Sequence, residues 1–190
     1  MVKKAGECTR YWYKEEFLKT IAMIFLPRRI EEAMKILRRA LNKKAVVTLS
    51  GKDSIVSLHI AITSQLEPDV IINTYVGQRE LPSNVVEELY EIAKQMARRI
   101  IVTSLKWNVH STLFNEIAKH YDYEAVITGL RQQENELLVR VRSAEIVSPI
   151  WRWRTSDVWA YAFTFDLSIP SLYCRAETPF ASLQRLAFSA

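Results

Sequence analysis

The sequence predicts an α/β fold: a parallel twisted sheet with helices on both faces, preceded by extra N-terminal helices. Three observations carry this. From Ala45 onward, short apolar β-branched runs alternate with helical periodicities, the pattern of βαβ units. The first run breaks at Ser50-Gly51-Lys52-Asp53-Ser54, and a helical pattern follows at once. Three of the four glycines, Gly51, Gly77 and Gly129, fall shortly past the end of a predicted strand. That is the sheet edge where open α/β folds bind ligands.

The elements follow in order. Residues 9–26 and 28–42 read as two helices separated by Pro27. In the second, Ile30, Ala33, Met34, Leu37 and Leu41 recur at helical spacing, and its charged face reads as solvated surface. Ala45–Leu49 is a buried strand, followed by a helix over Ser54–Ser64 whose Ile55, Val56, Leu58 and Ile60 call for burial on most sides. Val70–Asn73 is the next strand. It leads to a helix over Ser83–Ala97, with Pro82 before it and Ser83 as N-cap. Ile100–Thr103, a helix near His110–His120, and Ala125–Thr128 continue the alternation. Past Gly129 the periodicity weakens. Glu145–Ser148 reads as a short strand, and Thr155 as the N-cap of a helix with Asp157 in its first turn. Thr178–Ala190 would form one last short helix. The chain divides into an N-terminal helical extension, residues 1–43, and a nucleotide-binding domain, residues 44–190, within one globular unit.

Size and composition narrow the function classes. A chain of 190 residues fits one domain and buries roughly 70% of its unfolded surface. The net charge of +5 suits an anionic ligand and leaves nucleic-acid contact open without favouring it. Cys8 and Cys174 provide no metal spacing and no disulfide framework. The apolar stretch Thr20–Leu26 is too short to span a bilayer, so no membrane association is expected and the expected location is the cytoplasm.

Ser50 to Ser54 carry the chemistry. A strand, a tight glycine turn and a helix N-terminus converge free N–H groups and the positive end of the helix dipole on one point. Lys52 adds a full charge, and Ser50 and Ser54 add hydroxyls. The expected ligand is a phosphate, pyrophosphate or sulfate group. The turn is not a G-x-x-x-x-G-K-[ST] loop, because Asp53 follows Lys52, and it is not a G-x-G-x-x-G loop.

Gly51-Lys52-Asp53-Ser54 resembles part of the S-G-G-x-D-S pyrophosphate loop of the adenine nucleotide α-hydrolase-like superfamily. Here Ser50 takes the place of the first glycine, or one residue is missing. Thr128-Gly-Leu-Arg-Gln-Gln-Glu134, with Arg140 and Arg142 beyond it, resembles the G-x-R-x-x-E…R segment of the phosphoadenosine phosphosulfate (PAPS) reductase family. Ser148-Pro-Ile-Trp-Arg-Trp-Arg-Thr-Ser-Asp-Val-Trp159 is similar to that family's P-I-x-x-W-x-x-x-D-V-W block, and Ile169-Pro170…Leu172-Tyr173 to the I-P…L-Y that follows. Asn73-Thr74 stands where relatives often carry Asp-Thr. The resemblance covers roughly residues 44–175. The same blocks occur in the small subunit of sulfate adenylyltransferase, in FAD synthetases of this fold and in DNA phosphorothioation proteins.

The resemblance implies a Rossmann-like three-layer fold and an adenine nucleotide ligand (PAPS, adenylylsulfate or ATP) used in sulfur metabolism. By position, Ser50, Gly51, Lys52, Asp53 and Ser54 would hold phosphates. Thr74, Gly129, Arg131, Arg140 and Arg142 would complete the nucleotide site, the arginines pairing bidentately with oxyanions. Asp53 would order Mg²⁺ or the loop, or simply cap the helix. Glu134 would pair with one of the arginines. Arg152 and Arg154 suit either oxyanions or solvent.

Trp151, Trp153 and Trp159 occupy packing positions, and His59 reads as a satisfied core histidine. The family's C-terminal Glu-Cys-Gly-Leu-His-type tail is absent, as are the paired cysteines of its iron–sulfur relatives, so no iron–sulfur cluster is expected. Cys174 is then the weak candidate for a catalytic thiol, or a half-buried structural cysteine. A thiol-donor partner such as thioredoxin would supply reducing power, and a homodimer is left open. The alternatives are an ATP pyrophosphatase or nucleotidyltransferase of this fold, or a non-catalytic nucleotide- or nucleic-acid-associated module.

Overall fold

A computed structural model of the protein describes residues 2–9, 13–132 and 143–175. The predicted fold class is the observed one. Five parallel strands form the central sheet: β2 (Ala45–Leu49), β3 (Asp69–Asn73), β6 (Ile100–Thr103), β7 (Ala125–Ile127) and β8 (Glu145–Val147). Their order across the sheet is β6-β3-β2-β7-β8, and every pairing is parallel. The chain moves outward from β2 in one direction, then returns to its other side at β7. The gap between the C-terminal ends of β2 and β7 is therefore the topological switch point, where this class of sheet opens a ligand crevice.

Strand alternation sorts the core into two layers. Val46, Ile71 and Val126 point to one face and pack on Leu113, Phe114 and Ile117 of α6 (His110–Tyr121). Val47, Leu49, Val70, Ile72 and Ile127 point to the other face. There they meet α3 (Leu26–Leu37), α4 (Lys52–Thr63), α5 (Ser83–Lys94) and α7 (Thr155–Thr164). α4 is wrapped by neighbours, and eight of its twelve residues are buried. This explains its continuous apolar reading. α2 (Glu15–Ile24) packs against α3 and α7. Its buried Leu18 and Ile21 join the same core as the sheet, so the N-terminal helices are built into the main body.

The structure differs from the sequence reading in several places. The N-terminal helix does not run from residue 9. The chain starts with β1 (Lys3–Lys4) and the short α1 (Ala5–Thr9) before α2. β1 pairs antiparallel with β9 (Ser168–Ile169), so the two ends of the described chain meet. That meeting produces a further correction. Cys8 and Cys174 are joined in a disulfide across 166 residues, their Cα atoms 4.2 Å apart. Linear spacing carries no trace of a contact made by tertiary pairing. Gly77, past the end of β3, turns the hairpin of β4 (Tyr75–Val76) and β5 (Arg79–Glu80) with φ 66°, a left-handed conformation that favours glycine. Two N-caps fall one residue earlier than expected, at Pro82 for α5 and Arg154 for α7. At α7 the reason is visible: Asp157 Oδ2 accepts the Arg154 N–H at 2.8 Å, as a third-position carboxylate does. The expected helix at 178–190 lies outside the described residues. No helix among the described residues is long and apolar enough to cross a membrane.

Candidate functional site

Beyond Leu49 the chain reverses through Ser50 and Gly51 into α4. The Ser54 hydroxyl closes this turn. It accepts the N–H groups of Ser50 at 2.9 Å and Gly51 at 3.1 Å, and donates to the Gly51 carbonyl at 2.8 Å. Ser54 is therefore the organiser of the loop. The amide of Lys52 donates to the Tyr173 hydroxyl at 3.3 Å. The next two amides, of Asp53 and Ser54, have no backbone acceptor among the described residues, as expected for the first turn of a helix.

The charges converge in the same place. Lys52 Nζ lies 2.7 Å from Asp53 Oδ2, and Arg131 Nε lies 2.8 Å from Asp53 Oδ1. Lys52 is 2% and Arg131 4% exposed. One carboxylate thus sits between two buried cations, and the positive end of the α4 dipole points to the same place. The Tyr173 ring centroid lies 5.4 Å from Lys52 Nζ. Arg131 is steered from its other end by Thr155, whose hydroxyl accepts from Nη1 at 2.9 Å. Tyr13 stands near the same guanidinium. Burial pushes its phenol up from the ordinary value, while Arg131 works against that rise. Both Asp53 oxygens face cations, as the loop-ordering role requires.

Gly129 locks the switch point. A Cβ there would lie 2.4 Å from the Ser54 amide nitrogen and 2.6 Å from the Asp53 carbonyl carbon, so only glycine lets the end of β7 meet the first turn of α4. The two elements are hooked together beside it. Ser57 Oγ donates to the Thr128 carbonyl at 3.2 Å, and Thr128 Oγ1 pairs with Ser148 Oγ at 2.9 Å.

Ser50, Gly51, Lys52, Asp53, Ser54, Gly129 and Arg131 are thus brought to one point. Thr74 reaches the same sheet edge by the Leu49↔Ile72 register, but its hydroxyl donates to Ser104 at 3.0 Å. Arg140, Arg142 and Glu134 lie outside the described residues. Cys174 follows Tyr173, yet its sulfur is committed to Cys8. Trp153 and Trp159 are buried in the core, and Trp151 is half-buried. His59 Nδ1 is hydrogen-bonded with the Tyr161 hydroxyl at 2.9 Å, the satisfied histidine that the sequence implied.

Sequence reasoning missed Tyr173, Thr155 and Ser57 as parts of this site. Tyr173 had a signal in the matched Leu-Tyr pair. Thr155 was read as a cap, although its hydroxyl serves Arg131. Ser57 sits in an apolar helical run where a lone serine signals nothing.

No protein-family model matches the sequence, and no curated protein matches it. Among solved structures, the chain is similar to a phosphoadenylyl-sulfate (PAPS) reductase from Candida auris, crystallised as a phosphate complex. The TM-score is 0.60 at 13% identity, over 90% of this chain and 97% of that one. At such identity the likeness is one of fold, and it extends over nearly the whole of both chains. The protein has a PAPS reductase-like fold.

Proposed function

We propose that this chain binds an adenine nucleotide bearing a phosphate or sulfate ester at the turn before α4, as a PAPS reductase-like protein of sulfur metabolism. One observation carries the reading. Lys52 and Arg131, both buried, share the single carboxylate of Asp53 at a helix N-terminus on the switch point. An oxyanion arriving there would meet two buried cations and the dipole end. PAPS, adenylylsulfate and ATP all carry such a group. The fold shared with a reductase solved with phosphate supports the same assignment. The expected setting is the cytoplasm.

A second reading draws on the disulfide. The sequence has two cysteines, and both are in that bond. Sulfur reduction through a cysteine of this chain therefore needs the bond opened first, by a thiol-donor partner such as thioredoxin. In the disulfide form, the chain is suited to nucleotide binding or to ATP α–β phosphate chemistry.

Thermal shift with PAPS, adenylylsulfate, AMP and ATP·Mg tests both. A ligand at 100 times its Kd stabilises by about 2.7 kcal/mol, a rise of roughly 5–10 °C for a chain of this size. Lys52→Met removes one of the two cations and keeps Asp53 beside Arg131, so the variant should stay folded while losing the ligand shift. A PAPS or adenylylsulfate shift that Lys52→Met abolishes supports the first reading, and a shift with ATP alone supports the second. If no nucleotide shifts the wild type, or the shift survives in Lys52→Met, the proposal fails.

A further inference from the structure

The disulfide ends beside a residue of the candidate site. Tyr173 and Cys174 are neighbours in the short 3₁₀ turn Ser171–Arg175. Tyr173 touches the start of α4 twice. Its hydroxyl accepts the Lys52 N–H at 3.3 Å, and its ring centroid stands 5.4 Å from Lys52 Nζ. The tyrosine is 2% exposed and meets Trp159 edge to face at 6.1 Å. Its hydroxyl thus fixes an amide of the turn, and its ring helps to set where the lysine charge lies.

That placement is held from both sides along the chain. Ahead of Tyr173, β9 pairs with β1, and Glu88 accepts the Ser171 N–H and hydroxyl, both at 2.7 Å. Behind it, Cys174 is bonded to Cys8 of α1. The two sulfurs differ in access. Cys8 is fully buried, whereas Cys174 is half-buried. A thiolate arriving from outside therefore meets Cys174 first.

We propose that this disulfide is a reversible redox switch on the anion site, opened by a dithiol donor. The switch rests on the nucleotide reading given above. One donor thiolate attacks Cys174 Sγ. The S–S bond breaks, and its electron pair goes to Cys8 Sγ, which takes up a proton. The donor's second thiolate then displaces Cys174 from the mixed disulfide, and Cys174 takes up the second proton. The donor leaves as a disulfide, having passed two electrons to the protein. With the bond closed, Tyr173 is pinned between Ser171 and Cys174, and the turn is set for an anion. With it open, the tie behind Tyr173 is gone, its contacts with Lys52 loosen and anion binding weakens.

The test compares calorimetric titrations of the full chain with adenylylsulfate and PAPS, oxidised and after opening by excess dithiothreitol. Free-thiol titration confirms the opening, and near-ultraviolet circular dichroism confirms that the reduced chain is folded. The reduced chain should bind about three- to tenfold more weakly, the worth of one hydrogen bond, and reoxidation should restore the affinity. Cys8→Ser should bind as the reduced chain does, with or without dithiothreitol. Tyr173→Phe keeps the ring and the bond, so it should weaken the oxidised chain and shrink the redox difference. Equal affinity in the two redox states overturns the switch, and so does a reduced chain that unfolds, which makes the bond a structural clamp. If neither nucleotide binds the oxidised chain, the nucleotide reading itself has failed. The switch is then decided by the ¹H–¹⁵N resonance of the Lys52 amide, which reduction should move in the wild type and leave in place in Tyr173→Phe. A Lys52 resonance that reduction leaves in place in the wild type overturns it.

Discussion

Replacing Gly129 by alanine should be the most damaging one-carbon change in this protein. The new Cβ would stand 2.4 Å from the Ser54 nitrogen, 2.6 Å from the Asp53 carbonyl carbon and 2.8 Å from the Ser54 Cα. All three are backbone atoms in the first turn of a buried helix, so no side chain can swing aside. Reaching an ordinary contact requires β7 and α4 to part by about 1 Å, against the Ser57–Thr128 hydrogen bond. Overpacking of this kind costs about 1–3 kcal/mol, and a backbone clash belongs at the upper end. For a domain of this size that corresponds to a fall in Tm of roughly 5–10 °C. Gly6→Ala is the internal control. Its Cβ would meet only Phe163, at 3.5 Å, and alanine in a helix gains roughly 0.5–1 kcal/mol over glycine. Calorimetry of the two variants beside the wild type settles the matter. A Gly129→Ala protein melting within about 1 °C of the wild type would refute the close approach of β7 to α4, and with it the geometry of the switch point.

Three further outcomes are expected. The disulfide closes a loop of 166 residues, for which chain entropy alone gives about 5 kcal/mol. Cys8→Ala, or excess dithiothreitol, should lower the urea midpoint sharply, and an unchanged midpoint under reductant would show that the bond does not form. Glu88 accepts from the Ser171 N–H and hydroxyl, both at 2.7 Å. Burial works to raise its carboxyl, but a hydrogen bond from a positive group, then the Ser171 contacts, carry it below the ordinary value of 4.5. Its stabilisation is therefore present above pH 4.5 and is lost as the pH falls through the lowered value. Glu88→Gln should cost about 1–2 kcal/mol at neutral pH, with the difference shrinking in acid, and a deficit independent of pH would count against the charge. His59 is held below its ordinary 6.5 by burial, so the unfolded state takes up the proton first as the pH drops. Wild-type stability should decline below that point, and His59→Gln should flatten the slope between pH 7.5 and pH 5.5 in urea titrations.

The middle of the sheet was legible because its strands are buried on both faces. Ala45–Leu49 is found at its predicted boundaries, since a fully buried parallel strand must be an apolar run and nothing else. The edge strand Ile100–Thr103 was matched too, by its β-branched run, although none of its residues is fully buried. Helix starts were less legible. α4 begins at Lys52, two residues ahead of its predicted start at Ser54, because the first turn faces a polar turn and carries charges. β1, β9 and the disulfide were not legible at all. Lys3-Lys4 has no strand signature, and it pairs because tertiary packing brings Leu167 and Ile169 past it.

The turn before α4 divides along the same physical line. Its backbone could be read in advance, because strand, glycine and helix start dictate one another. Its electrostatics could not. Lys52, Asp53 and Arg131 each stood in a matched motif, yet their motifs did not show that one carboxylate would serve both cations. That arrangement depends on Gly129 drawing Arg131 to the first turn of α4 and on Thr155 holding its far end. On the proposed reading the two buried cations and the α4 N-terminus meet an anion that arrives with the ligand. Arg131→Met should therefore remove the nucleotide shift as Lys52→Met does, and a folded variant that keeps the full shift would show that the anion is not held there.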